Sequence, residues 1–303
     1  MSRRIAFATL LFVAASPQSV PARSTGFSDQ AQPVSSGWEF SVTPYAWLIF
    51  VTGEQTVGNT TVDISTDMFE MIDEAKELYG FMGDLELRNG RIGLLADIFW
   101  AKARFDTDFI AEETLIPGLN LAILVKGGMS VNMAILEPGV AYEIANRSGS
   151  GSLKDPVAYE RSTAVDFLAG ARYWYIEPEI ALNVSATISI PALGLSRTGG
   201  GRVAGGKTID WWDPYVGFRV RHKRGPGKEL VLRGDIGGFG VGSDFSWHLK
   251  GVYNIDTRLL GYDVTAQVGY RALYADYEQG SGVQTIGMDW LWHGPTLGLM
   301  FTW

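Results

Sequence analysis

The chain contains no cysteine. Disulfides, a thiol lipid anchor and thiolate chemistry are therefore excluded. Nowhere is there a run of about 18 apolar residues, so no transmembrane helix is expected. Basic residues are in the minority and form no cluster: 25 Lys and Arg stand against 33 Asp and Glu, a net charge of −8. Such a chain is a poor nucleic-acid binder, and no nucleic-acid partner is expected. Histidine occurs only as His222, His248 and His293. None has a His or Cys at ligand spacing, so neither a metal site nor a cofactor is expected.

What is abundant is glycine, with 37 residues, and aromatics at 12%. Mean hydropathy is slightly positive at +0.05. Together with the missing long runs, this means that apolar residues are dispersed rather than pooled. The last stretch shows how. In Thr296–Trp303, Leu297, Leu299, Phe301 and Trp303 alternate with Thr296, Gly298, Met300 and Thr302. Period-two alternation is a strand with one apolar face. A membrane barrel closes on such a strand, with its aromatics in the interfacial girdle. Gly298, Phe301 and Trp303 also resemble the terminal signal read by outer-membrane assembly machinery, which is then an expected partner during biogenesis.

At the other end, Arg3 and Arg4 precede the apolar Ile5–Ala15, then Pro17 and Val20-Pro21-Ala22. This is the pattern of a secretory signal peptide over 1–22, cut near Ala22. Residues 23–36 read as a short periplasmic lead and 37–303 as the barrel. Strand-like alternation begins at Gly37–Phe50, and Val51–Ile64 reads as a turn with a short strand extension. Ser65–Glu77 changes period: Ser65, Thr66 or Asp67 can cap a helix, and Met68, Phe69, Met71, Ile72 and Ala75 make a stripe. A short helical insert near 66–76 is expected. Asn89-Gly90 marks a hairpin between Tyr79–Leu87 and Arg91–Phe105. Asp106–Leu119 reads as a loop, Gly128–Ala145 as a strand with a bulge near Leu136–Pro138, and Asn146–Arg161 as a polar connection. Ala164–Tyr175 alternates, Glu179–Ile190 either continues it or starts anew, and Pro191–Lys207 reads as a Gly-rich loop. Asp210–Arg221, Glu229–Gly240, Asp244–Asn254 and Leu260–Ala275 have the length of membrane strands. The expected fold is thus an all-β, transmembrane, antiparallel up-and-down barrel of about ten strands (range 8–12). Both ends should be periplasmic, with the longest connections outside.

The blocks Pro44-Tyr45-Ala46-Trp47-Leu48, Asn89-Gly90-Arg91-Ile92-Gly93-Leu94-Leu95-Ala96-Asp97, Gly170-Ala171-Arg172-Tyr173-Trp174, Trp212-Asp213-Pro214-Tyr215-Val216-Gly217-Phe218-Arg219, Asp235–Asp244 and Gly294–Leu299 together resemble a family of uncharacterised Gram-negative outer-membrane β-barrel, porin-like proteins. The resemblance runs over most of 37–303. It implies the outer membrane and its lipids as surroundings, and it brings no catalytic residues.

The alternation turns one set of charges inward: Glu39, Asp84, Glu86, Arg88, Asp97, Glu137, Glu143, Asp166, Arg172, Asp213, Arg219, Arg221, Arg233, Asp235, Lys250, Asp263 and Arg271, with His248 among them. Mixed signs suit either paired charges filling a narrow lumen or a lining that passes small polar solutes. A structural or small porin-like barrel, not an enzyme, is the leading expectation. Two alternatives remain: a lipid-active hydrolase on Ser246 and His248 with Asp244 in line, and a barrel that binds partners through its outer loops. Successive inward positions on one strand lie about 7 Å apart, and no nucleophile elbow accompanies them, which weakens the hydrolase reading.

Overall fold

A computed structural model describes residues 37–116, 119–149, 161–190, 193 and 195–303. The expected signal peptide and lead lie outside the described residues. Among the described residues thirteen strands are present: β1 (Glu39–Trp47), β2 (Phe50–Val57), β3 (Thr60–Asp67), β4 (Ala75–Asn89), β5 (Ile92–Ile116), β6 (Leu119–Gly149), β7 (Arg161–Ile190), β8 (Leu195–Gly205), β9 (Ile209–Gly225), β10 (Lys228–Gly237), β11 (Phe245–Leu259), β12 (Tyr262–Gln279) and β13 (Ile286–Thr302). All pairings are antiparallel, and β1 pairs with β13 to close the ring. β1 and β2 both lie along β13, so they form one interrupted stave. β3 and β4 form another, lying along β2 and β1. β8 pairs only with the upper part of β7. The barrel therefore has ten staves.

The break between β1 and β2 has a visible cause. Leu48 donates its N–H to the carbonyl of Pro295, and a Cβ on Gly294 (φ +153) would fall 1.8 Å from the Leu48 carbonyl oxygen. Only glycine lets the two backbones approach there. The helical insert is also present. α1 spans Met68–Glu74 inside a capping box: Asp67 Oδ1 accepts from the N–H groups of Phe69 (2.7 Å) and Glu70 (2.9 Å), and Glu70 reaches back to the Asp67 N–H. Met68 packs against the interior, while Phe69 stays 61% exposed.

Four local expectations need correction. Residues 106–119 are not a loop: β5 and β6 carry on as a hairpin to Ile116 and Leu119. Likewise β7 runs unbroken to Ile190, and the supposed loop at 191–207 contains β8. Polar residues on both faces of a strand that has left the membrane look like loop in sequence. Val51–Ile64, read as a turn with a short extension, is the β2–β3 hairpin. The bulge lies at Glu143/Ala145 rather than Leu136–Pro138, where the register is unbroken.

Outside, the barrel carries an exposed apolar band that includes Leu94, Val140, Phe167, Val216, Phe218, Leu232, Leu249, Val268 and Leu297. Exposed Trp100 and Trp212 stand at one edge of the band, and Trp38, Phe40, Tyr262 and Trp303 at the other. Trp303 exchanges backbone hydrogen bonds with Phe40, and its ring stacks on Phe40 at 5.8 Å. An aliphatic band between aromatic edges, on a ring of strands that β1 and β13 close, is the surface of a transmembrane β-barrel. No helix among the described residues is long and apolar enough to cross a membrane. The turns β4–β5, β9–β10 and β11–β12 lie on the same side as both described ends of the barrel. The β5–β6 and β7–β8 hairpins rise on the opposite side.

Candidate functional site: the lumen

Inward side chains fill the barrel in two layers. The layer nearer the short turns is ionic. At its centre Glu137, fully buried on β6, receives three guanidiniums. Its Oε2 accepts from Arg172 Nη2 (3.1 Å) and Arg233 Nη2 (2.9 Å), and its Oε1 accepts from Arg271 Nη2. Asp235 shares two of these donors: Arg172 Nη2 at 2.9 Å and Arg233 Nε at 2.9 Å. Asp97 accepts from Arg271 Nη1 and from the Tyr45 hydroxyl, both at 2.9 Å. Lys250 Nζ lies 2.8 Å from Asp84 and 3.6 Å from Asp97. Four acids (Asp84, Asp97, Glu137, Asp235) thus meet four bases (Arg172, Arg233, Lys250, Arg271), and the cluster is neutral. Aromatic faces complete its shell. Arg172 and Arg233 lie 5.4 and 5.2 Å from the Tyr215 ring centre, and Arg271 lies 4.8 Å from that of Trp47.

A second neutral cluster lies closer to the short turns. Glu86 takes a two-pronged contact from Arg219 (2.7 and 2.9 Å) and a bond from Arg88 Nε (2.8 Å). Asp166 accepts from Arg88 (3.1 Å), Arg219 (2.9 Å) and Arg221 (3.1 Å), and Arg221 also reaches Glu143 (2.9 Å). Forked guanidinium–carboxylate contacts of this kind fix geometry as well as charge.

The space for these rings comes from glycine. Tyr215, 2% exposed, lies over Gly170 on the neighbouring β7 and Gly139 on β6, one strand further along the wall. A Cβ on Gly139 would stand 2.2 Å from the Tyr215 hydroxyl, and one on Gly170 would stand 2.6 Å from the ring.

The other layer was not foreseen. The expectation of a polar interior holds only for the half near the short turns. Towards the hairpins the lumen is filled by Trp47, Ile49, Phe99, Ile135, Trp174, Trp211, Leu273, Tyr277, Met288 and Trp292, all buried. Trp174 stacks on Trp211 at 5.4 Å and lies 5.1 Å from Trp292, and Trp211 stacks on Tyr277 at 4.0 Å. Two indoles are anchored through Asp213. Trp174 Nε1 donates to Asp213 Oδ2 (3.0 Å), and Trp211 Nε1 donates to Ser243 Oγ (2.9 Å). Ser243 in turn donates its N–H and hydroxyl to Asp213, at 2.7 Å each. The β10–β11 turn is thereby tied to β9.

Most of the inward set meets in these clusters. Two members do not. Glu39 is exposed at the turn-side rim, and Asp263 pairs with Arg258 across the β11–β12 turn, their side chains 82% and 78% exposed. Both stand outside the lumen because the alternation continues past the end of the interior. Ser246 and His248 are each fully buried. Among the described residues neither the Ser246 hydroxyl nor either His248 ring nitrogen has a hydrogen-bond partner, so the two do not form a nucleophile–base pair. Asp244, the third member of that reading, is exposed beyond the strand. His248 Nδ1 lies 3.6 Å from Glu137 and 3.4 Å from Asp235, a trio with the donors for a cation. Those carboxylate oxygens already hold Arg172 and Arg233, so the chain itself supplies the positive charge there.

Recesses occur both inside the barrel and on its wall. One of about 120 Å³ opens among Asp84, Asp97, Arg219, Arg233, Lys250 and Asn254. Another of about 840 Å³ lies against the β4–β8 wall beyond the apolar band, lined by Lys102, Arg104, Lys126, Glu177, Glu179 and Arg202 among others.

No protein-family model matches the chain, and no curated protein matches it. Among solved structures it is similar to a FadL homologue of Pseudomonas aeruginosa (8% identity, 88% of this chain and 89% of that one, TM-score 0.23). It is also similar to the outer membrane protein opdK of the same organism (9% identity, 88% and 99%, TM-score 0.21) and to OccK2 (OpdF) in complex with glucuronate (11% identity, 89% and 99%, TM-score 0.20). Likeness this shallow carries no solute or role across, and the barrel rests on its own closed ring of strands.

Proposed function

We propose that this chain is an outer-membrane β-barrel of porin-like build whose lumen is closed at rest, with a structural rather than an enzymatic role. One observation carries the reading: the Glu137 cluster and the Trp174–Trp211–Trp292 layer fill successive levels of the lumen, and Asp97, Glu137, Arg172, Asp235 and Arg271 are buried like the three indoles. An open aqueous pore would leave such groups wet. In this reading residues 1–22 direct export and are removed near Ala22. Gly298, Phe301 and Trp303 serve recognition by the assembly machinery, and outer-membrane lipids surround the apolar band.

The test is conductance. Purified mature barrel in planar bilayers should show no steady ohmic current. A stable open level in every insertion would refute the closed state. A second reading, passage of small polar solutes, is favoured by the charged recess of about 120 Å³. It requires the network between Arg233, Asp235 and Glu137 to part. Under that reading brief openings should appear and become more frequent in Arg233→Gln.

A further inference from the structure

The turn-side rim of the barrel is divided around its circumference. On β12, β13 and β1 the outward columns end in aromatics: Tyr262, Trp303 and Phe40. On β6, β7, β9 and β10 they end in cations. Below Val140 and Tyr142 comes Arg147; below Phe167 and Val165, Arg161; below Phe218 and Val220, Arg224; below Leu232 and Leu230, Lys228. All four cations are exposed. Acidic neighbours on these strands, Glu143 and Asp166, point into the lumen and are used there. Among the described residues none of the four cations has an ion pair.

Their spacing sharpens the point. β7 and β9 pair Ser162 with Lys223, so the next outward position sets Arg161 against Arg224. Like charges directly opposite on an antiparallel pair repel. Strands lie about 4.8 Å apart, so Lys228 on β10 and Arg147 on β6 join the same patch. Four cations with no ion pair among the described residues sit at the turn-side end of the apolar band.

We propose that this sector holds the phosphate groups of anionic glycerophospholipids in the leaflet at the turn side. The lipid's charge relieves the Arg161–Arg224 opposition, while its acyl chains lie on Val165, Phe167, Phe218 and Leu232. The aromatic sector opposite has no such preference. The proposal rests on the membrane-spanning fold and not on whether the lumen conducts.

The test uses full-length mature barrel, folded into phosphatidylcholine vesicles containing trace spin-labelled phosphatidylglycerol or phosphatidylcholine. Electron spin resonance then reports the fraction of each lipid restrained at the barrel surface. Phosphatidylglycerol should be favoured about twofold or more, and less so as salt rises. The preference should fall towards unity in Arg161→Gln/Arg224→Gln and should fall partway in Arg147→Gln/Lys228→Gln. Folding of each variant is checked by heat-modifiable gel mobility, and the second pair stands in if the first does not fold. Equal restraint of the two lipids by the natural chain overturns the proposal. So does a preference that both variants retain or that Lys102→Gln/Arg104→Gln abolishes, which would place it on the hairpin side.

Discussion

Glu137→Gln is the most demanding test of the ionic layer. The substitution keeps size and one carbonyl acceptor but removes the charge that faces Arg172, Arg233 and Arg271. Four acids against four bases become three against four, in a cluster where Arg172, Arg271 and Glu137 are all fully buried. Removing one partner of a buried ion pair costs about 3–5 kcal/mol, because the remaining charge stays desolvated. Asp97 and Asp235 still partly neutralise the three guanidiniums, which places the expectation at the lower end, about 3 kcal/mol. Urea unfolding of the barrel in phospholipid vesicles, followed by tryptophan fluorescence, measures this directly. Adding Arg271→Met removes the excess cation, so the double variant should be less unstable than the sum of the two singles by at least about 1 kcal/mol. A loss below about 1 kcal/mol for Glu137→Gln, or strict additivity, would show that water reaches the cluster and that the lumen is not sealed at that level.

Gly170→Ala should destabilise by about 1–3 kcal/mol, since its Cβ would fall 2.4 Å from the Pro138 carbonyl oxygen and 2.6 Å from the Tyr215 ring; unchanged urea midpoints would contradict that packing. Leu260 has a left-handed backbone (φ 52) and is 91% exposed, so Leu260→Asn should stabilise by about 1 kcal/mol, read from the same midpoint. On the hairpin side, burial and the neighbouring Asp289, Asp244 and Glu278 hold the Asp276 carboxyl above its ordinary range. A raised folded-state value means stability is lost as pH climbs from the unfolded carboxylate value through the folded one. Asp276→Asn should therefore stabilise at neutral pH and flatten that dependence, as hydrogen exchange of β11–β13 at several pH values would show. Trp303→Lys should lower outer-membrane levels in cells while refolding in detergent stays near normal. Trp303→Phe should be tolerated in both, and normal cellular levels of the Lys variant would remove the assembly role.

Much of this was legible in sequence wherever one face of a strand met lipid and the other met charge. Phe218 next to Arg219, and Val165 next to Asp166, announce the pleat directly, and Asp67 with Glu70 announces α1. The inward charges are legible as a set, although their partners come from strands far apart in the chain and no spacing rule pairs them. The aromatic layer was hidden because it lies beside outward aromatics. Tyr173-Trp174-Tyr175 and Trp211-Trp212 are apolar on both faces, so period two fades where the interior turns apolar. Strand lengths were hidden for the opposite reason. Beyond Phe105 the sequence turns to Asp106, Thr107 and Asp108, polar in succession like a loop, although strand pairing continues to Ile116.

The two fillings of the lumen respond to temperature for different physical reasons. Cooling weakens the cohesion of the Trp174–Trp211–Trp292 layer, because burial of apolar surface is driven by water's entropy. Heating eases the hydration loss that the Glu137 and Asp166 clusters carry, so ion pairs gain relative worth as the hydrophobic contribution levels off. Both plugs are thus looser in the cold, and on warming the apolar one levels off while the ionic one keeps gaining. Cooling should therefore loosen the lumen at the hairpin side, and at the upper limit of growth the turn side should carry the larger share of the closure.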